Sequence, residues 1–512
     1  MTWWIKHFTA VAMMGVLIVP IPAVAHTKQS NPANAQKEPQ PPAFSPQSLN
    51  SPEPRTLNGG EKHTYPLTLN ANDFVKLVVE QRGIDVVVRL IGPDGKVIQE
   101  VDSPNGIQGP EPISCIVDQA GSYIIEIEAL EKSVQPGKYE LKVESIKPAT
   151  GQDRAGIEIE SLNLKVTRLW QTGKYDQALP LAQQAVEKSE KFSGPESTQL
   201  ARSLTDLAWI YYRKGDYAKA EAPYVRALQI REKLLGSDHP ETAASLNNLA
   251  ILYGAKGDYT RAEPLYVRSL AIREKVFGSE HPAVAQSLNN LANLYQAKGD
   301  YTRAESLFVK AVTINEKTLG ANHPETATSL NNLAALYQDT GDYERAEPLY
   351  VRALAIREKT LGSEHPQTAI SIGNLALLYH YKGDYVRAEP LYVRALALKE
   401  KTLGADHLET ATGLLNLGAV YQSKGDYVRA EPLYLRALAI REKALGPNHP
   451  EMATSLITVA GLYQAKGDYA QAEPLYLQAL AIREKALGPD HPATAFSLFC
   501  LGFLYNRKGE YS

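Results

Sequence analysis

The stretch PETATSLNNLAALYQDTGDYERAEPLYVRALAIREKTLGSEH, residues 324–365, decides the fold because the chain repeats it with a fixed period of 42 residues. A Gly-Asp-Tyr triplet and a His-Pro pair mark each copy. Self-similarity at a period of 20–50 residues indicates stacked supersecondary units that share one continuous core. The triplets begin at Gly215, Gly257, Gly299, Gly341, Gly383, Gly425 and Gly467, and the histidines are His239, His281, His323, His365, His449, His491 and, before a leucine, His407.

Each copy predicts two helices. Apolar residues from Leu330 to Tyr337 recur at helical spacing and define the buried face of the first helix. Gly341 is expected to end this helix in the left-handed conformation, and Asp342 to cap the second helix. Pro366 fits the first turn of the next helix, where its missing N–H costs nothing. The charged residues of the second helix are expected on a solvated outer face.

The spacing Leu-Ala-x-x-Tyr in the first helix, followed by Gly, Tyr, Ala, Tyr and Ala, resembles the tetratricopeptide repeat family over about residues 158–512. The stretches Asn331–Tyr337 and Ala353–Pro366 are similar to the kinesin-light-chain type, whose unit is longer than the basic one. The resemblance implies a right-handed superhelical α-solenoid. We expect eight helix pairs, then one unpaired helix from about Pro492 to Lys508.

Residues 57–147 change to a period of two, which predicts short strands. Tyr139–Val143 alternates cleanly, and Pro93-Asp94-Gly95 is a turn signal. The stretches Val86–Gly95 and Gly137–Val143 resemble the bacterial pre-peptidase C-terminal domain, which implies a small jelly-roll-like all-β sandwich. Acidic side chains in this region are interpreted as turn and strand-edge carboxylates, with calcium binding as the alternative: Asp85, Asp94 and Asp102.

Residues 1–25 have the basic start, short apolar stretch and small residues Ala23-Val24-Ala25 of a secretory signal. We predict cleavage after Ala25 and export to the periplasm or beyond. Residues 26–56 are rich in proline and polar residues and predict a disordered spacer. No later apolar run reaches the length of a membrane-spanning helix, so no stable membrane anchor is expected.

Composition narrows the classes of function. The net charge of −3 argues against a nucleic-acid binder that relies on bulk positive charge, and two cysteines in 512 residues exclude cysteine-based zinc modules. The repeated histidines stand at least one helix-packing distance apart, whereas metal donors lie about 2 Å from one ion. Cys500 and His491 are not spaced as a catalytic pair. We therefore expect no catalytic set, no metal and no cofactor.

The family resemblance implies an inner groove, lined by the first helices, that holds an extended peptide or a helix. Amides offer both donors and acceptors, so a row of them suits a peptide backbone of any sequence. The alternative is that duplication merely copied them. The groove lacks the Lys and Arg clamp that binds a terminal carboxylate in chaperone-binding relatives. The candidate binding residues are Asn248, Asn290, Asn332, Asn374 and Asn416, the preceding Asn247, Asn289 and Asn331, and Gln296 and Gln338; Gln422 and Gln464 extend the set.

These observations favour an exported, non-enzymatic scaffold that binds a peptide or protein partner. Two alternatives stay open at this point. The chain could be the recognition part of a scaffold–protease whose caspase-like CHAT domain follows Ser512, a hypothesis prompted by the abrupt stop within a repeat. It could also be a motor-cargo adaptor, although the predicted signal and the lack of a preceding coiled coil argue against this.

Overall fold

The computed structural model describes residues 54–101, 108–129 and 136–509. The predicted signal at residues 1–25, its cleavage point, nearly all of the predicted spacer and Asp102 lie outside the described residues. The chain divides into a β unit and a helical unit, each taken by itself below.

The β unit is built from two antiparallel four-stranded sheets. One sheet has the order β1-β8-β3-β6 and the other β2-β7-β4-β5, which is the strand order of a jelly roll. The predicted small all-β domain is confirmed. The strands are β1 (Arg55–Leu57), β2 (Lys62–Leu69), β3 (Asp73–Arg82), β4 (Val86–Ile91), β5 (Val97–Val101), β6 (Gln108–Ile116), β7 (Gly121–Ala129) and β8 (Gly137–Pro148).

Alternation along the strands places one side of each sheet in the core. In β3, Val75, Leu77 and Val79 are fully buried, while Lys76 is exposed. This is the period of two that the sequence predicts. Asp94 lies in the turn after β4, where its carboxylate accepts from the backbone N–H of Lys96 at 3.1 Å and pairs with the Lys96 ammonium at 2.8 Å, consistent with a turn role.

The helical unit consists of antiparallel helix pairs. Eight pairs, α1/α2 to α15/α16, precede α17 among the described residues, and none of these helices is both long and apolar enough to cross a membrane. The helices are α1 (Gly151–Gln171), α2 (Tyr175–Lys188), α3 (Thr198–Arg213), α4 (Tyr217–Leu235), α5 (Pro240–Ala255), α6 (Tyr259–Phe277), α7 (Pro282–Ala297), α8 (Tyr301–Thr318), α9 (Pro324–Asp339), α10 (Tyr343–Thr360), α11 (Pro366–Tyr381), α12 (Tyr385–Leu403), α13 (Leu408–Ser423), α14 (Tyr427–Leu445), α15 (Pro450–Lys466), α16 (Tyr469–Leu487) and α17 (Pro492–Lys508).

Gly341 and Asp342 take the predicted roles at the helix ends. Gly341 has φ = +80°, and the Asp342 carboxylate accepts from the N–H of Arg345 at 3.1 Å at the start of α10. His323 caps α9 in the same manner, because its Nδ1 accepts from the N–H of Glu325 at 3.1 Å. A ring nitrogen that accepts here carries no proton, so the cap requires the neutral imidazole with its proton on Nε2.

Charged residues of the second helices are partly exposed and also join neighbouring repeats. Glu347 of α10 accepts from the hydroxyl of Tyr379 on α11 at 3.0 Å and from the ammonium of Lys382, the residue after α11, at 2.5 Å. The Arg387 guanidinium lies 4.1 Å from the centre of the Tyr379 ring. The repeat therefore places an ion pair, a hydrogen bond and a cation–π contact at one joint.

A buried cation forms a second joint. Arg357 of α10 is 1% exposed and donates to Ser371 Oγ at 2.8 Å and to Thr328 Oγ1 at 2.9 Å. Ser371 also accepts from Asn331 Nδ2 at 3.2 Å. Burial lowers the pKa of Arg357 to about 10, so the guanidinium remains charged at neutral pH. Within the described ranges its polar network contains no bonded carboxylate.

The helical array coils back on itself, so that late repeats touch early ones. His449, which caps α15, donates from Nε2 to the carbonyl of Arg213 at 3.1 Å, 236 residues earlier. Pro450 and His449 also lie against Gly215, at the turn after α3. His407 and His491 lie correspondingly against the turns at Gly173 and Gly257. We call this row of contacts between successive turns the histidine seam.

Candidate functional site

The first helices of the pairs expose one narrow stripe, which we call the groove face. On α9 the stripe consists of the partly exposed Thr328, Asn332, Ala335 and Asp339, spaced by about one helical turn. Successive first helices contact each other directly, whereas successive second helices are linked by ion pairs between long side chains, such as Arg352–Glu316. The first helices therefore lie on the inner side of the curvature, and the stripe faces inward.

The asparagines that precede the predicted inward row are used in packing. Asn247, Asn289 and Asn331 are 8%, 7% and 1% exposed. Asn289 Nδ2 donates to Ser329 Oγ at 3.0 Å, and Asn331 makes the equivalent bond to Ser371 in the following first helix. These amides stabilise repeat stacking, because they satisfy buried polar groups across each joint.

The predicted inward row itself divides into two kinds of residue. Asn248, Asn332 and Asn416 are partly exposed on the groove face. Asn290 is 9% exposed and donates to Asn247 Oδ1 at 2.8 Å, and Asn374 makes the corresponding contact with Asn331 at 3.4 Å. The structure therefore brings the row together along one face but already uses Asn290 and Asn374 between repeats.

The glutamines of the same face also differ from one another. Gln296 Nε2 donates to Asp339 Oδ2 of the next first helix at 2.5 Å. Gln338 is 7% exposed, and its Oε1 has no donor within hydrogen-bonding distance in the described part of the chain. Gln422 and Gln464 accept from the hydroxyls of Tyr434 and Tyr476 within their own pairs, at 2.8 Å and 2.9 Å.

One part of the groove face departs from the amide pattern. Asp206 on α3 stands one repeat before Asn248, in the same register, and Trp209 and Tyr212 follow it on the same partly exposed stripe. Trp170 on α1 holds the position equivalent to Tyr212. The repeated asparagines do not by themselves point to this cluster, although subtraction of one 42-residue period from Asn248 gives Asp206.

No arrangement for catalysis is found at the residues considered above. Cys500 is 2% exposed, and burial raises the pKa of its thiol to about 12, far from the thiolate that a nucleophile needs. His491 is the cap of α17, with Nδ1 bonded to the N–H of Ala493 at 3.0 Å. Among the described residues, no group of three or more His, Cys, Asp or Glu side chains is placed to hold a metal ion.

Similarity to known proteins covers the helical unit. A putative kinesin light chain from Podosopora anserina with nearly identical TPR-like repeats is 34% identical, with a TM-score of 0.34, over 40% of this chain and 97% of that chain. BtubC from P. vanneervenii is 26% identical, with a TM-score of 0.37, over 46% of this chain and 92% of that chain. No curated protein sequence matches the chain. The family model described as tetratricopeptide repeat matches residues 160–233, 224–275, 252–317, 283–359, 325–401, 367–443, 409–485 and 451–512.

Proposed function

The chain belongs to the tetratricopeptide repeat family, and we propose that it is an exported, non-enzymatic scaffold whose groove face binds an extended peptide or a segment of a partner protein. One observation carries the proposal: partly exposed amides recur at one register of the groove face, at Asn248, Asn332 and Asn416. Nothing in their spacing demands a particular side chain on the bound segment.

The spacing of these amides suits an extended main chain. Packed helices stand about 8–10 Å apart, and three residues of an extended chain span about 10 Å. Asn248, Asn332 and Asn416 lie on alternate first helices, α5, α9 and α13, so they can meet a peptide at intervals of about six residues. Each amide can donate to a carbonyl and accept from an N–H of the bound chain.

A variant with matched controls tests this arrangement. A displayed library of random peptides of about 15 residues, long enough to reach all three amides, is selected on the full chain, and the affinities of the selected peptides are measured for N248A/N332A/N416A. Loss of three neutral hydrogen bonds at about 1 kcal/mol each predicts a fall in affinity of about 100-fold. The control R268A/R352A/R436A changes exposed residues on the second helices of the same three pairs and leaves affinity unchanged. Equal affinity for both variants would contradict the proposal.

Export rests on the sequence of residues 1–25. Expression of the full chain in a Gram-negative host, followed by fractionation and intact-mass measurement, tests it. We expect a periplasmic or secreted species that begins at His26. A species that retains Met1 or Thr2 in the cytosol would refute export without touching the groove hypothesis.

A further inference from the structure

The groove face changes its chemistry at α3. In five later first helices, Asn248, Asn290, Asn332, Asn374 and Asn416 occupy the register where α3 has Asp206. One turn further along α3, Trp209 replaces the smaller residues that most other repeats carry there. Tyr212 and Trp170 stand where later repeats carry mostly glutamine. One section of the groove is therefore acidic and aromatic, whereas the rest is neutral and rich in amides.

The aromatic side chains form a continuous surface. The rings of Trp170 and Trp209 meet edge to face with centroids 5.9 Å apart, and Tyr212 stacks on Trp209 at 5.3 Å. Tyr217 of α4 extends the row at 5.5 Å from Tyr212. All four residues are partly exposed. Within the described part of the chain, both indole N–H groups are withdrawn from solvent without an acceptor, which costs free energy unless a ligand supplies one.

Asp206 is an acid without a bonded partner in the described part of the chain. Its Oδ2 is withdrawn from solvent and has no donor within reach. Desolvation raises the pKa of Asp206 to about 6, although the charges of Arg202 and Arg231 act in the opposite direction. The Arg231 guanidinium is committed to Thr205 Oγ1 at 3.0 Å and Ser245 Oγ at 2.7 Å. The carboxylate thus lacks a counter-ion at bonding distance.

We propose that Asp206, Trp209 and Trp170 form a subsite for a cationic nitrogen, an amine or a guanidinium, of the bound chain. A cation satisfies the carboxylate and is attracted to the neighbouring aromatic rings. The Arg213 guanidinium already lies near this surface, with its Cζ 5.8 Å from the Trp209 ring and 5.5 Å from the Tyr175 ring.

The subsite deepens the proposed function and rests on it for its biological meaning. It also gives the bound peptide a direction and a register, since one basic group is fixed at α3 while amides follow the remaining main chain. The basic group can be a side chain or the free amino terminus of the peptide.

Small probes test the subsite without a known partner. The full chain is labelled with ¹⁵N at tryptophan, and the indole signals of Trp170 and Trp209 are assigned with W170F and W209F. Four probes are titrated: Nα-acetyl-arginine amide, Nα-acetyl-lysine amide, glycinamide and the neutral Nα-acetyl-citrulline amide. We expect the basic probes, and not citrulline, to shift both indole signals. Glycinamide alone would indicate an amino terminus, and the arginine or lysine probe a side chain.

D206N is the decisive variant, because asparagine is already the natural residue at this register in five other repeats and is compatible with the fold. D206N should lower the affinity for the basic probes by about tenfold or more. The control E232Q, which removes a charge from α4 of the same pair, should leave that affinity unchanged. The subsite would be overturned if the citrulline probe bound as tightly as the arginine probe, if the indole signals did not shift, or if D206N bound the basic probes with undiminished affinity. Peptides selected by the groove without these shifts would refute the subsite alone, and shifts without any selected peptide would refute only the proposed function.

Discussion

The histidine seam predicts a large difference between two chemically identical substitutions, Gly215→Ala and Gly341→Ala. Both glycines have positive φ, +70° and +80°, so in both variants the strained backbone of the new alanine lowers stability by about 1–2 kcal/mol. A Cβ on Gly341 would meet no atom within 4 Å. A Cβ on Gly215 would lie 2.5 Å from Pro450 Cδ and 3.0 Å from His449 Cδ2. Only the Cβ at position 215 therefore forces the two turns of the array apart.

The extra cost at Gly215 has two parts. Relief of the overlap costs about 1–3 kcal/mol, as for other overpacked sites. Separation also breaks the bond from His449 Nε2 to the Arg213 carbonyl, worth about 1 kcal/mol. Gly215→Ala should therefore exceed Gly341→Ala by about 2–4 kcal/mol, a difference that belongs to the seam and not to the helix turn.

Native-state hydrogen exchange measures this difference locally, which suits an array whose repeats need not unfold together. The amide of Met452, bonded to the His449 carbonyl at 2.9 Å, reports on the seam. Its exchange should accelerate by about 30-fold or more in Gly215→Ala, the factor that 2 kcal/mol implies. Gly341→Ala should leave it unchanged. Equal exchange at Met452 in the two variants would refute the argument that the turns are in contact.

Three further predictions concern the joints of the array. Burial lowers the pKa of His449 to about 4. The unfolded chain takes up a proton at this residue near pH 6.5, whereas the folded chain does not. The free energy of unfolding should therefore fall by about 2 kcal/mol between pH 7 and pH 5 through this residue. H449N, which keeps a capping side chain, should reduce that loss in denaturation measured at both pH values. S371A removes the acceptor shared by Arg357 and Asn331 and should lower stability by about 2 kcal/mol in urea denaturation, and a neutral result would contradict the buried network. Tyr379→Phe removes only the hydroxyl that donates to Glu347 and should cost about 1 kcal/mol or less in the same assay, with the ring contact to arginine retained.

The sequence by itself determined the repeated helix pair and its ends. Residues of one copy interact mainly with their neighbours in the chain: Gly341 adopts positive φ, Asp342 caps α10 and His323 caps α9. Because the period is constant, one copy predicts the others. The alternation that predicts the β domain is likewise local, since a period of two assigns each residue to one face of a strand.

Tertiary structure decided which amides remain available. Asn331 and Asn332 are adjacent in sequence and identical in chemistry, yet one is buried between repeats and the other lies on the groove face. A rotation of about 100° per residue separates them, and only the packing of the next repeat determines which direction is covered. Tertiary structure also decides that the Asp206 carboxylate has no bonded counter-ion in the described part of the chain, because this depends on the positions of Trp209 and Arg231.

The histidine seam was beyond any argument from the repeat pattern. All seven histidines have the same local role, but those at 407, 449 and 491 also lie against an earlier turn of the array. This contact depends on curvature, which accumulates from small rotations at every joint of the array. A constant sequence period determines each joint, while the packing of complete turns determines which identical residues acquire a second partner.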